Sequence, residues 1–270
     1  MSRPVVLKIG GAILDDTPRM RSLLGAIAAH AGRGVVLVHG GGTTADRLLA
    51  RLGIETPRID GLRSTPDEAV DPVVGALAGV ANHQIVSALR AQGGRAVGLT
   101  LSAGGMTVAR RLDTRLGHVG EVVETNGNLL GVLLDQGFVP VVSSVGDDGA
   151  GDALNINADD AAVAVASACA ADRLAFLTDV AGVLDAEGRT IERLDAERMA
   201  ALEASGVIRG GMGPKVRGAL RAAAALGIPV VIARWSAETV EALLGYEESV
   251  AGTSVVAASP ALDATQEPSR

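Results

Sequence analysis

Two lysines and one aspartate lie where they could bind and orient an anionic group. Lys8 interrupts the apolar run VVLKIGG, where a charge is costly unless it reaches a ligand or a partner. Lys215 follows Pro214 at the start of a helical pattern, and a cation there opposes the helix dipole unless an anion binds beside it. Asp159, in NINADDAA, could hold lysines by charge-assisted hydrogen bonds. The alternative is a solvated edge residue for Lys8 and an ordinary surface residue for Lys215.

Three glycine clusters accompany these residues. Gly10 and Gly11 follow the run VVLKI, three glycines follow VVLVH, and RGGMGPK precedes the helical pattern that contains Lys215. Glycine lets the backbone come close to a ligand, and the amides at a helix N-terminus bind anions. Tight turns would explain any single cluster, whereas three clusters with lysines attached favour a polyphosphate site.

The elements that must position these residues alternate between short strands and longer helices. Continuous apolar runs are typical of strands whose two faces are both covered. The runs predict strands at 5–9, 35–39, 95–99, 138–143, 174–178 and 228–233. The remaining periodic segments predict helices at 20–31, 44–52, 66–91, 129–136, 159–170, 196–205, 214–226 and 237–244. This alternation predicts an α/β fold with a mostly parallel sheet, whose ligand-binding loops lie at the carboxyl ends of the strands.

The composition favours one fold with two lobes. The 270 residues are 48% hydrophobic but only 1% aromatic, so Ala, Val, Leu and Ile must build the core. The net charge of −7, without a basic stripe, argues against a nucleic-acid partner. No signal peptide and no apolar run of membrane-spanning length is evident, which predicts a cytoplasmic protein with no membrane partner. We expect a single domain over 1–258, with lobes that meet near residue 150, and a disordered tail over 259–270.

Some local features have structural explanations. In RSTPDEAV, Thr65 can cap a helix, Pro66 can take its first position and Glu68 can complete a capping box. Asn157 can cap the helix that follows it, which leaves Asn155 and Asp159 for other roles. The single cysteine, Cys169, lies among small residues, where an inert buried thiol is expected.

Other ligand-binding motifs fit poorly. GGGTTA has the form of a dinucleotide fingerprint with Asp60 downstream, but Pro57 argues against the central strand that this motif needs. HGGG is similar to a lipase oxyanion loop, yet the chain has no G-x-S-x-G. The four histidines show no close metal-ligand spacing, so we expect no metal site made by the protein alone.

Taken in order, LKIGG, VLVHGGG, GLRSTP, NINADDAA, LTDVAGVLD and GGMGPKV resemble the motifs of the amino acid kinase family over about residues 4–257. The resemblance implies a three-layer αβα sandwich with an open, mostly parallel sheet, an acceptor-binding N-terminal lobe and an ATP-binding C-terminal lobe. It implies catalytic roles for Lys8, Lys215 and Asp159, the last as the carboxylate that orients the lysines. The implied acceptor-binding residues are Gly41, Gly42, Arg63 and Asn155. The implied nucleotide-binding residues are Gly10, Gly11, Asp179, Val180, Ala181, Gly182, Val183, Leu184, Gly210, Gly211, Met212 and Gly213.

Within that family, the motifs most resemble members that use ATP to phosphorylate the γ-carboxylate of N-acetyl-L-glutamate in arginine biosynthesis. Such an acceptor is ionised at neutral pH and needs no general base. The resemblance implies Mg²⁺ held mainly by phosphate oxygens. The alternatives are a related kinase that acts on another amino-acid carboxylate, and a non-catalytic ligand sensor with the same fold, which would be expected to lose a catalytic lysine.

The resemblance also bears on assembly and regulation. It implies a homodimer through helix 66–91, which is apolar on several sides and carries Gly75 and Gly79 one turn apart. Arginine-sensitive members of the family carry an additional N-terminal helix. Only three residues precede Pro4 here, so we expect no inhibition by arginine.

Overall fold

The computed structural model describes residues 3–208, 212–245 and 250–257. The strands are β1 Val5–Ile9, β2 Val35–His39, β3 Arg58–Ile59, β4 Leu62–Arg63, β5 Ala96–Thr100, β6 Thr107–Arg111, β7 Val119–Thr125, β8 Val139–Ser143, β9 Val145–Asp147, β10 Ala153–Ile156, β11 Arg173–Thr178, β12 Arg193–Leu194, β13 Val230–Arg234 and β14 Thr253–Val255. The α-helices are α1 Thr17–Ala29, α2 Gly42–Leu52, α3 Asp67–Val74, α4 Asn82–Ala91, α5 Asn128–Asp135, α6 Ala158–Ala168, α7 Ala196–Ala204, α8 Met212–Leu226 and α9 Ala237–Gly245. Each predicted strand and helix is present, with ends that differ by a few residues.

An eight-stranded sheet forms the centre of the fold, in the order β12-β14-β13-β11-β1-β2-β8-β5. The strands from β13 to β5 pair in parallel, and β14 runs antiparallel to β13 at one end. Strands from both halves of the chain therefore share one sheet. This arrangement confirms the prediction of an α/β fold with a mostly parallel sheet.

Alternation along the strands divides the core into two layers. On one face, Val5 and Leu7 pack with Leu24 of α1, and the same cluster includes α4 and α9. On the other face, Val6 and Phe176 pack with helices that include α6 and α8. Because side chains alternate along a strand, Lys8 belongs to the same face as Val6 and points toward α6. The helices on both faces confirm the predicted αβα sandwich.

A second sheet, in the order β6-β7-β10-β9, was not predicted from the sequence. Several residues of β6 and β7 are polar and exposed, so these strands lack the continuous apolar runs of the central sheet. β10 ends one residue before α6 begins, so NINADD spans the junction between this strand and this helix. The segment 100–112 supplies the end of β5, a 3₁₀ turn and β6.

Helix 66–91 is continuous but irregular. It contains α3, a π-helical segment at Gly75–Ala81, and α4. Among the described residues, one helix, Asp67–Ala91, is long enough and apolar enough to cross a membrane by length and composition alone. Its inner side, which includes Leu77 and Ile85, is buried against the rest of the fold, as expected of a core helix.

The predicted capping box at the start of this helix is wrong. The helix begins at Asp67, Pro66 occupies the N-cap position, and no side chain caps it. The Thr65 hydroxyl instead donates to the Arg63 carbonyl and accepts a hydrogen bond from Asn155. The predicted tail at 259–270 lies outside the described residues.

Candidate active site

Lys8 and Lys215 are the only lysines in the chain, and the fold brings them to the same place. Lys8 Nζ lies 2.7 Å from Asp159 Oδ1, and both side chains are mostly buried. Oδ1 accepts no aligned hydrogen bond, so charge attraction holds this pair. The arrangement places a cation at the end of β1 against a carboxylate in the first turn of α6.

A hydroxyl positions the second lysine. Lys215 Nζ donates to Thr178 Oγ1 at 2.8 Å, and the same hydroxyl donates to Asp179 Oδ1 at 3.0 Å. Thr178 ends β11, on the same sheet face as Phe176 and Lys8. Burial and the positive charge of Lys8 lower the pKa of Lys215, while Asp159 and Asp179 oppose that change. The two cations are therefore close enough to repel each other, as expected where a polyanion binds between them.

Asn157 fixes the start of α6. Its Oδ1 accepts the amide of Asp159 at 3.4 Å, which confirms the predicted cap, and its Nδ2 donates to Asp160 at 3.2 Å. Asp159 is thus held by the helix start rather than by a mobile loop. This geometry explains why the alternating polar pattern ends at a helix.

The glycine loops pack against each other. A Cβ at Gly11 would lie 3.2 Å from the Gly42 amide nitrogen, and a Cβ at Gly40 would lie 3.2 Å from Ala158. A Cβ at Gly41 would lie 2.7 Å from Leu77. Larger residues would separate the loop after β1 from the loop after β2. The close packing of the loops is therefore a reason for glycine, in addition to the approach of a ligand.

A cavity of about 140 Å³ contains the four predicted acceptor-binding residues, Gly41, Gly42, Arg63 and Asn155. Its other lining residues are Gly40, Ala45, Arg58, Gly61, Leu62, Val73, Leu77, Val119, Ser144, Ile156, Asn157 and Ala158. The walls combine apolar side chains with two guanidinium groups and amide groups. Such a lining suits a small acid with a short apolar portion.

Arg63 is held in place from several sides. Its Nη1 donates to Thr56 at 2.8 Å, and its Nη2 donates to the Gly42 carbonyl at 3.2 Å and forms a short ion pair with Asp46. The side chain is only 8% exposed, so its orientation is fixed before a ligand binds. Arg58 pairs with Arg63 across the β3–β4 hairpin and remains more than half exposed at the cavity. The sequence did not point to Arg58 or Asp46. Arg58 lies in a hairpin with strands of only two residues, and Asp46 lies in α2, so their approach to Arg63 depends on the tertiary structure.

Asn155 is held by Thr65. Its Nδ2 donates to Thr65 Oγ1 at 3.1 Å, which joins β10 to the start of helix 66–91. The side-chain carbonyl of Asn155 remains available to the cavity that it lines. The residues GLRST and NIN, far apart in sequence, therefore form one wall.

The predicted nucleotide-binding residues do not all face the same way. Val183 is buried in the core, and its amide donates to Thr253 Oγ1 at 2.8 Å. A Cβ at Gly182 would lie 2.7 Å from that same oxygen. These two residues anchor the loop to β14, whereas Asp179 and Leu184 are exposed and Val180 and Ala181 are half-buried.

The remaining predictions concern the glycine-rich start of α8. Gly210 and Gly211 lie outside the described residues. Met212 and Gly213 begin α8, and Lys215 lies one residue beyond Pro214 in that helix. The helix N-terminus and both lysines are thus on the same side of the site.

No cluster of His, Cys, Asp and Glu suited to a metal ion occurs within residues 3–208, 212–245 and 250–257. Burial raises the pKa of the Cys169 thiol to about 12, so the thiolate nucleophile is absent at neutral pH. The groups that the described residues bring to the site are the two lysines, backbone amides, the Thr178 hydroxyl and the carboxylates of Asp159 and Asp179.

The sequence profile of the amino acid kinase family matches residues 3–234, and the chain belongs to this family. Its relatives include the acetylglutamate kinase of Moritella profunda, 42% identical over 94% of this chain and 97% of the relative. The acetylglutamate kinase of Vibrio cholerae serotype O1 (strain ATCC 39541 / Classical Ogawa 395 / O395) is 44% identical over 86% of this chain and 89% of the relative.

Solved structures share the fold. The crystal structure of smu.665 from Streptococcus mutans UA159 is 29% identical, with a TM-score of 0.74 over 95% of this chain and 99% of that chain. N-acetylglutamate synthase from Neisseria gonorrhoeae, complexed with coenzyme A and N-acetyl-glutamate, is 23% identical, with a TM-score of 0.81 over 96% of this chain and 60% of that chain. At that identity the second similarity establishes the fold alone.

Proposed function

We propose that this protein transfers the γ-phosphoryl group of ATP to the γ-carboxylate of N-acetyl-L-glutamate. The products are N-acetyl-L-glutamyl 5-phosphate and ADP, and the reaction is the second step of arginine biosynthesis. One observation carries this proposal. A small cavity lined by Arg63, Asn155 and the glycine loop after β2 lies beside two neighbouring cations, Lys8 and Lys215. The acetylglutamate kinases at 42% and 44% identity support the same choice of acceptor.

The cavity explains how the acceptor would be recognised. The guanidinium of Arg63 would bind the α-carboxylate, and the side-chain carbonyl of Asn155 would accept the acetamido N–H. Leu62 and Val119 offer apolar contacts for methyl and methylene groups. The small cavity of about 140 Å³ suits an amino-acid derivative better than a nucleotide. The reacting carboxylate would then point toward the glycine loops and the lysines.

The chemistry needs charge neutralisation rather than a base. The acceptor carboxylate is ionised at neutral pH, and it must approach a phosphoryl group that is also negative. Lys8 would neutralise the oxygens of the transferring group, and Lys215 would stabilise the negative charge that develops on the ADP side. Asp159 would hold Lys8 in place. The amides of Gly11 and Gly42, on two loops that pack against each other, would add hydrogen bonds where side chains would block in-line attack.

The substrate ATP would enter as its magnesium complex. Because the described residues contain no protein cluster for a metal ion, phosphate oxygens would be the main ligands of Mg²⁺. The ion would add charge neutralisation to that supplied by the lysines. Asp159 and Asp179, both beside Lys215, are the carboxylates within reach of the phosphate groups.

Two other functions can be tested against this one. A related kinase would act on another amino-acid carboxylate, but it would have to fill the same cavity without the acetyl group. A non-catalytic sensor with the same fold would bind ligands without turnover, yet both catalytic lysines are present. The cavity and the lysine pair together favour catalysis on an acylated amino acid.

The test is ATP-dependent acyl phosphate formation, trapped with hydroxylamine, over a panel of N-acetyl-L-glutamate, L-glutamate, L-aspartate and N-acetyl-L-aspartate. We expect the hydroxamate from N-acetyl-L-glutamate to form with the highest kcat/KM. Preference for a free amino acid would favour the related kinase. Binding of ATP and acceptor by calorimetry without any hydroxamate would favour the sensor.

We also propose that the protein is a cytoplasmic homodimer that uses neither membrane nor nucleic acid. The outer side of helix 66–91 exposes Gly75, Gly79 and Val80, and the last is 47% exposed. Apart from the helix's own backbone, no described atom lies within 4 Å of a Cβ built at either glycine, so this face can accept a closely packed helix. A second copy of the same helix would bury Val80 and bring the two glycines into contact.

A further inference from the structure

A buried histidine lies at the start of the glycine loop, where the proposed reaction does not use it. His39 ends β2 and is only 1% exposed. Its Nδ1 lies 2.6 Å from the carbonyl oxygen of Gly40, and its own carbonyl accepts the amide of Ser144 at 3.1 Å. The ring therefore contacts the backbone of the loop whose next residues, Gly41 and Gly42, line the acceptor cavity.

Asn82 fixes the other side of the ring. Its Nδ2 lies 3.0 Å from His39 Nε2 and donates to the Val141 carbonyl at 2.8 Å. An amide nitrogen carries two hydrogens and no acceptor, so both contacts have Asn82 as the donor. Nε2 must then be the unprotonated nitrogen, and Nδ1 must carry the hydrogen that is donated to Gly40. Only the Nδ1–H tautomer of His39 allows all of these buried hydrogen bonds to form together.

The protonation state of His39 agrees with this geometry. Burial lowers the pKa of His39 to about 4, and the hydrogen bond to Gly40 opposes that change only partly. A proton on Nε2 would face the amide hydrogens of Asn82. The ring consequently remains neutral at physiological pH and acts as a fixed donor rather than as an acid or a base.

The helix that carries Asn82 touches the loop a second time. Gly41 lies against Leu77 and Ala81, where a Cβ would approach to 2.7 Å and 3.2 Å. Both residues belong to the π-helical segment Gly75–Ala81, directly before Asn82. Such segments are uncommon and are frequent at functional sites. Here the segment places two contact residues and the amide of Asn82 along one loop.

We propose that His39 and Asn82 are positioning residues for the phosphoryl transfer described above. Asn82 holds His39 in the Nδ1–H tautomer, and His39 holds the Gly40 carbonyl. The peptide of Gly40 is thereby fixed, and with it the direction of the following amides toward the transferring group. This inference rests on the proposed function, because the loop must bind a phosphoryl group for its direction to matter.

Two substitutions at His39 separate positioning from packing. In His39→Asn, the side-chain amide nitrogen occupies the place of Nδ1 and can still donate to Gly40. In His39→Leu, no donor remains. Both lose the acceptor for Asn82, so both should have a lower melting temperature. We expect His39→Leu to lose about 100-fold in kcat and His39→Asn to stay within about threefold of the wild type.

The side-chain ¹⁵N NMR spectrum of histidine gives a readout that does not depend on activity. In the wild type, we expect His39 to show the Nδ1–H tautomer at neutral pH. In Asn82→Leu, which is close to isosteric, we expect the tautomer signal to change and kcat to fall. His30→Leu is the matched control, because His30 Nδ1 also contacts a backbone carbonyl, that of Ala26 at 2.9 Å, but on α1.

The outcomes are distinct. An inactive wild type would overturn the proposed function, while the tautomer would still test the contact between His39 and Asn82. An active wild type with full turnover in His39→Leu would overturn the positioning role. An equal loss of kcat in His39→Asn and His39→Leu, or an Nε2–H tautomer in the wild type, would also overturn it.

Discussion

The ammonium nitrogen of Lys8 lies 2.7 Å from Oδ1 of Asp159, so an ion pair connects β1 to the first turn of α6. The lysine emerges from a strand buried in the central sheet, so the ion pair has little freedom to rearrange. Fixed charges of this kind stabilise a transition state without reorganising during the reaction. The pair therefore provides the first tests of the proposed mechanism.

Lys8→Arg and Lys215→Ala should each lower kcat by about 10²–10³-fold, because each removes or displaces one fixed positive charge. ATP binding should weaken much less, since other groups of the site still contact the nucleotide. Steady-state kinetics and ATP titration calorimetry give the two quantities. Arg47→Gln is a suitable control, because Arg47 pairs with Asp15 at 2.8 Å outside the acceptor cavity. Near-normal turnover in either lysine variant would contradict the role assigned to that lysine.

Asp159→Asn and Arg63→Ala should affect different kinetic constants. In the proposed mechanism Asp159 holds Lys8 during transfer, so its loss should lower kcat. In the same mechanism Arg63 would bind a part of the acceptor that does not react, and its truncation should raise the KM for N-acetyl-L-glutamate by about 10- to 100-fold. Measuring both constants with both substrates checks this division. A variant of Arg63 that loses kcat alone would show that the guanidinium takes part in the chemical step.

The central sheet and the lysine site could be predicted because their signals are local. Val-rich runs indicated the strands, and a charge within such a run singled out Lys8. The partners of Thr65 and Lys215 could not be predicted in this way. Thr65 precedes a proline in a capping pattern, yet its hydroxyl bonds to Asn155 of β10, and this pairing exists only after the second sheet has formed.

The nucleotide loop shows a second limit of sequence reasoning. The motif LTDVAGVLD pointed to Gly182 and Val183 as nucleotide-binding residues, but it did not indicate which side chains of the loop face inward. Their contacts with Thr253 depend on β14, near the end of the described chain. Likewise, a histidine followed by three glycines could be recognised, whereas its partner Asn82 lies on a separate helix. Direction and pairing are properties of the tertiary structure.

The alkaline limb of the pH–rate profile should report Lys215. Burial and Lys8 lower its pKa, so Lys215 loses its proton at a lower pH than an ordinary lysine. The protonated form is the one that stabilises negative charge, and kcat/KM should therefore decline on the alkaline side before an ordinary lysine would titrate. In Lys215→Arg, which stays charged, the decline should move to higher pH. An unchanged limb in that variant would assign the titration to another group.

His39 should make folding stability depend on pH. Its pKa of about 4 in the folded state lies below the value of 6.5 expected in the unfolded chain, so the unfolded state binds more protons between these values. The folded state is thus favoured above this window and loses stability as the pH falls through it, by about 2 kcal/mol between pH 7 and pH 5. Urea unfolding at both pH values, compared with His39→Asn, isolates this contribution. An equal loss in the two proteins would exclude His39 as the source.

The proposed homodimer can be tested by filling the space beside Gly79. Gly79→Arg adds a long cation to an exposed helix position. Apart from the helix's own backbone, no described atom lies within 4 Å of a Cβ there, so the fold of one copy should tolerate it. If two helices pack closely at this face, the arginine must separate them, and light scattering at micromolar concentration should change from dimer to monomer. Gly131→Arg, at a glycine of α5 with equally open surroundings, is the control and should remain dimeric. A monomeric wild type, or a dimer that persists in Gly79→Arg, would show that this face of helix 66–91 is not the interface.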